Sequence, residues 1–81
     1  MLERLLKFYK ACQYQRQSMQ LTLEHDKIAD WFIEIEHRDS DTVIFSENDA
    51  SLNLLCARAY LALEEWAREE PFLGDIEINL K

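Results

Sequence analysis

Two histidines stand beside acids, His25 with Asp26 and His37 with Asp39 and Asp41. An imidazole next to a carboxylate can move a proton or help hold a metal. Acid–base work needs a substrate-facing geometry, and a metal usually needs three or more converging ligands. The segment His37-Arg38-Asp39-Ser40-Asp41 reads as a hairpin tip, where side chains diverge into water. The chain has neither a His-x-x-x-His nor a Cys-x-x-Cys pair, and the tip lacks the glycine and spacing of a calcium loop. Nucleophilic chemistry has no better support. Cys12 and Cys56 fall on apolar helical stripes, where a thiol acts as a small hydrophobe. Gly74 is the only glycine, so there is no glycine-rich phosphate loop and no serine elbow flanked by glycines. The expectation is a non-enzyme with no catalytic residue, metal or cofactor.

What remains unexplained is acidic and apolar. Glu34 and Glu36 share one face of a strand, and Glu24 falls on its neighbour. Asp39, Asp41, Glu47 and Asp49 are expected in loops at strand ends. The plain reading is a solvated surface. The functional reading is an electrostatic contact with a protein partner that has a basic surface, because clustered like charges cost stability. On the second helix, Leu54, Ala57 and Leu61 lie opposite the main apolar stripe. A helix packed on one sheet needs only one apolar face. The extra stripe therefore suggests a homodimer or a partner contact, against the plain reading that isolated exposed apolar residues are normal. Phe32 and Ile44 are expected to project from the sheet's open face.

The formal net charge is −7, and its distribution says more than its sum. Met1 to Arg16 holds four bases (Arg4, Lys7, Lys10, Arg16) against one acid, Glu3. Gln17 to Asp49 holds nine acids against Lys27 and Arg38. A basic helix precedes an acidic body. Contact with nucleic acid through the basic helix is an alternative function, opposed at long range by the acidic remainder.

These residues need elements to position them. Leu2, Leu5, Leu6, Tyr9 and Cys12 recur at helical spacing, predicting a first helix from about Leu2 to Tyr14. Met19 to Glu24 alternates with period two and predicts a strand. His25-Asp26-Lys27 is a polar break. Ala29 to His37 is a second strand, with Trp31, Ile33 and Ile35 on one face and Asp30, Phe32, Glu34 and Glu36 on the other. Arg38 to Asp41 is the hairpin loop, and Thr42 to Phe45 a third strand. Ser46-Glu47-Asn48-Asp49 reads as helix-start chemistry. The second helix, from about Ala50 to Glu69, buries Leu52, Leu55, Cys56, Ala59, Leu63 and Trp66, and Pro71 ends it. Residues 76–80 alternate again and can form a fourth strand or a frayed end.

With 81 residues the chain makes a single domain, 1–81, of class α+β. The predicted architecture is α-β-β-β-α(-β), with two helices on one face of a three-stranded antiparallel sheet. The N-terminal residues lack a long apolar run, so neither a signal peptide nor a membrane span is expected. Two cysteines are too few for a disulfide scaffold, which points to reduced thiols in the cytoplasm, although a Cys12–Cys56 bridge is not excluded. The element order resembles the double-stranded RNA-binding domain. Where such domains carry lysines at the start of the second helix, this chain reads Asn48-Asp49-Ala50-Ser51-Leu52-Asn53, and Asp49 repels phosphate. RNA binding through that surface is excluded. In length, acidity and lack of a catalytic motif, the chain resembles small proteins of phages and mobile elements, anti-CRISPR inhibitors among them. That resemblance implies a non-catalytic inhibitor covering a partner's nucleic-acid-binding surface.

Overall fold

A computed structural model describes residues 1–15, 18–28 and 30–69. The order is α1 (Leu2–Gln15), β1 (Met19–Asp26), β2 (Asp30–His37), β3 (Thr42–Asp49) and α2 (Leu52–Glu69), an α+β fold. The three strands form one antiparallel sheet in the order β1-β2-β3. Residues 76–80, where a fourth strand was one expectation, lie outside the described residues.

Period-two alternation sorts the sheet into two faces. Met19, Ile33, Ile35 and Phe45 are buried on one, against Leu5, Phe8, Tyr9 and Cys12 of α1 and Leu55, Cys56, Ala59, Leu63 and Ala67 of α2. Phe8 is among the largest fully buried side chains, and its ring centroid lies 5.1 Å from that of Tyr60. The spacing argument built on Leu2, Leu5, Leu6, Tyr9 and Cys12 omitted Phe8. The Leu5-Phe8-Cys12 line is the true centre of the buried face, and Leu6 sits at its margin, half-buried.

The third strand is longer than expected. Ser46, Glu47, Asn48 and Asp49 are not helix-start residues; they continue β3, pairing with Glu34, Ile33, Phe32 and Trp31. The cap is Ser51, whose Oγ accepts the Leu54 N–H at 3.2 Å, and Asp49 Oδ1 accepts the Ser51 N–H at 2.8 Å. A polar run can be strand when its partner strand supplies the ladder.

A register shift lies between Ile35 and Glu36: Ile35 pairs with Phe45, whereas Glu36 pairs with Val43. Ile44 is the extra residue of a β-bulge. This corrects the expectation that Ile44 projects from the open face. Ile44 packs against the core, and Val43, opposite Glu36, is 55% exposed instead.

α1 precedes β1 and α2 follows β3 in the chain, and the two helices pack on each other. Gln13 Nε2 of α1 donates to the Met19 carbonyl at 3.4 Å, tying the helix end to the start of β1. At 1.5 Å per residue, the 18 residues of α2 span about 27 Å and the 14 of α1 about 21 Å. Eight-residue strands span about 27 Å. So α2 matches the strands in length, and α1 is shorter than they are by about 6 Å. Exposure rises along β1: Met19 is buried, Leu21 half-buried, Leu23 37% exposed, and His25 exposed.

Candidate functional site

The two histidines lie near opposite ends of the sheet, His25 on β1 and His37 on β2, about 20 Å apart at the strand rise. His25 pairs with Trp31 at the β1–β2 end, and His37 pairs with Met19 and Thr42 at the β2–β3 end. No group of three or more His, Cys, Asp or Glu converges to hold a metal among the described residues.

His37 is not a solvated tip residue, as the hairpin reading had it. It points into the helix layer, 4% exposed, with its ring centroid 5.3 Å from that of Trp66. Its Nδ1 lies 2.7 Å from Ser40 Oγ. Ser40 Oγ donates to Thr42 Oγ1 at 2.8 Å, and Thr42 Oγ1 donates to the Ser40 carbonyl at 3.3 Å. The imidazole is thus tied into the hydroxyl pair of the β2–β3 turn. Its Nε2 is buried and has no hydrogen-bond partner among the described residues. Asp39 and Asp41 are exposed in the adjoining turn, with Asp41 at φ 53°, a left-handed conformation that aspartate tolerates.

The cysteines behave as core residues. Cys12 and Cys56 are buried and free. Burial pushes the Cys12 thiol up to about 12 and also raises that of Cys56, where the N-terminal charge pulls slightly the other way. A thiolate, the reactive form, is suppressed in both. Burial likewise raises the Tyr9 phenol against a backbone hydrogen bond from Leu21.

The six acids singled out in the sequence do not form one patch. Glu47 and Asp49 lie in β3, not in loops, and on the helix-facing side, opposite Ile33 and Trp31. Arg58 of α2 reaches both, at 2.8 Å and 3.0 Å, and so offsets their charge. Asp39 and Asp41 sit at the β2–β3 turn. Glu34 and Glu36 alone occupy the sheet's outer face. There Glu34 accepts from Ser46 Oγ at 3.1 Å, and Glu24 stands across from Phe32. With Gln20, Thr22, Phe32, Val43, Ser46 and Asn48, these three glutamates make a face that no described element covers. Its carboxylates sit about 7 Å apart along a strand.

The second apolar stripe of α2 is exposed as expected. Leu54 is 59% and Leu61 62% exposed, with Ala57 between them half-buried. On α1, Lys7 and Lys10 face solvent, while the Arg4 guanidinium lies 5.5 Å from the centroid of the Tyr60 ring. A groove of about 250 Å³ runs between β3 and the end of α2, lined by Val43, Ile44 and Trp66 and rimmed by Glu65 and Glu69.

The sequence arguments missed one region, the β1–β2 end. His25 was assigned to a break, yet it belongs to β1, and its ring centroid lies 4.4 Å from that of Trp31. Ile28, at the turn, is 94% exposed. The signal available was the lone isoleucine within the polar run His25 to Asp30.

No helix among the described residues is long and apolar enough to cross a membrane. Comparison with protein-family models, with curated proteins and with solved structures returns no match.

Proposed function

We propose that the protein is a non-catalytic protein-binding module whose open sheet face engages a basic surface of a partner. One observation carries this reading. Glu24, Glu34 and Glu36 share a face with Phe32 and the exposed Val43, and among the described strand residues no base stands on that face opposite them. An aromatic centre with an acidic surround suits a cationic partner, giving fast and selective encounter more than raw affinity. The sharper form is a phage-type inhibitor, of the anti-CRISPR kind, masking a partner's nucleic-acid-binding surface. The test compares the wild-type protein with Glu34→Gln/Glu36→Gln as baits in lysate from its native host. Capture that falls in the variant and at raised salt supports the reading. Equal capture by both baits sinks it.

A second reading, a homo-oligomer, is favoured by the exposed Leu54 and Leu61. In this reading the α2 stripe packs on its counterpart in a second copy. Light scattering checks it: a dimer that Leu54→Gln/Leu61→Gln turns into a folded monomer is the expected result, and a monomeric wild type at high concentration ends it. Nucleic-acid contact through Lys7 and Lys10 has less support, since Arg4 is already turned to Tyr60.

A further inference from the structure

The groove between β3 and the end of α2 is an apolar concavity with an acidic rim. Val43, Ile44, Ala62 and Trp66 line it, and Glu65 and Glu69 stand at its edge. Ile44, Ala62 and Trp66 are half-buried and pack against the core, so each turns one side inward and leaves the other to the groove. Val43 is 55% exposed. Ile44 reaches this place because the β-bulge turns it from the outer face. The bulge and the helix end together enclose about 250 Å³. An apolar cavity of about 150 Å³ holds a benzene ring, so a phenyl group has room here.

Charge and reach narrow the choice of occupant. The acidic rim repels the phosphates of nucleic acid and of anionic lipid. A second copy meeting the groove across a two-fold axis would set the same two glutamates against each other. The chain itself brings an apolar group to the spot. Glu69, the last described residue, lies on the rim, and the sequence goes on Glu70-Pro71-Phe72-Leu73-Gly74-Asp75. Pro71 lacks the N–H of a further helical turn, and its ring disfavours a helical Glu70. Three residues reach at most about 10 Å, which keeps Phe72 in the neighbourhood of the groove. So short a tether gives the segment an effective concentration in about the millimolar range, which an outside peptide must outcompete. Phe72 also suits the wall, because an aromatic pair with Trp66 gains more than the area it buries. Glu70 and Asp75 flank the apolar pair and meet the rim acids only across screening water.

We propose that the groove is the seat of this chain's own segment 71–73, with the Phe72 ring lying against Ile44, Ala62 and Trp66. The segment covers Trp66, which itself roofs His37. The β2–β3 end is then closed by two layers of side chains, and the groove is a self-contact rather than a port for partners. This inference does not rest on the open-face reading.

The test is NMR on the full chain, labelled at the isoleucine methyls and the tryptophan indoles. The expected result is NOEs from the Phe72 ring to the Ile44 methyls and the Trp66 indole, within one molecule. Phe72→Ser should remove the ring-current shift of the Ile44 methyls and lower the thermal midpoint by about 4–8 °C. Ile78→Ser, further along the chain, should leave the Ile44 shift unchanged. NOEs seen only between a labelled and an unlabelled copy would overturn the proposal in favour of a second copy. Loss of the Ile44 shift in Ile78→Ser but not in Phe72→Ser would overturn it in favour of an added strand. Absence of any NOE from Phe72 to the groove residues would overturn it whatever the stability of the variants.

Discussion

Each end of the sheet holds a histidine against a tryptophan, and the two pairs have opposite fates. At the β2–β3 end the tryptophan is Trp66, supplied by α2, and it roofs His37 to 4% exposure. At the β1–β2 end the tryptophan is Trp31, supplied by the sheet itself, and His25 rests on it in solvent. The residue types are the same. What differs is the source of the cover: a helix side chain lies over His37, whereas His25 meets only a ring of its neighbouring strand and stays exposed. A ring contact within the sheet makes a platform, whereas one between layers makes a seal.

Alkali should produce the largest effect, at the sealed half. Cys12 lies in the last turn of α1, the turn tied to Met19. Its thiol is raised from an ordinary value near 9 to about 12 because burial disfavours the thiolate. The folded state thus holds this proton more tightly than the unfolded state. Its stabilising contribution is complete below pH 9 and is lost as pH rises toward 12, at up to about 1.4 kcal/mol per pH unit. Tyr9 and Cys56, raised in the same sense, add to the slope. Denaturant midpoints should fall steadily above pH 9, and Cys12→Ala should flatten that fall. A flat profile in the wild type would mean the thiol reaches water.

Truncating each tryptophan comes next. Trp66→Ala should cost about 3 kcal/mol, since it unroofs His37 and opens the layer interface, near the low end for large aromatic truncations. Trp31→Ala should cost about 1 kcal/mol, because its ring has water on one side. Urea unfolding of both variants gives the ratio, and equal losses would erase the distinction between the ends. The smallest change is expected from His25→Ala, within about 0.5 kcal/mol as for other surface substitutions. A larger loss would mean the open platform stabilises the fold by itself.

Much of this was legible in the chain. Alternation placed Ile33 and Ile35 inward and Glu34 and Glu36 outward, and the helical spacing of Leu55, Cys56, Ala59 and Leu63 marked the buried face of α2. The element order and the antiparallel sheet followed from the turn residues. Three things were not legible, each for a physical reason. The strand character of Ser46–Asp49 comes from pairing with β2, a long-range term that local polarity cannot signal. The bulge at Ile44 is a one-residue slip, invisible to a period-two argument, and it exchanges Ile44 with Val43. The opposite settings of His25 and His37 depend on whether a helix side chain lies over them. Periodicity gives a residue its face but not its cover. The acids show the same limit: Glu47 and Asp49 look like Asp39 and Asp41 in sequence, and only the approach of Arg58 separates them.

The bulge has a consequence for the company the protein keeps. Among the described strands β3 is an outer one, so its far side offers backbone donors and acceptors to any other extended chain. An unbroken, flat row of that kind is a template for indiscriminate strand addition and aggregation. The slip at Ile44 interrupts the row near its start and sharpens the local twist, so an incoming strand cannot stay in register along the whole length. Along β3, then, the same one-residue slip that buries Ile44 also disfavours indiscriminate pairing at that edge.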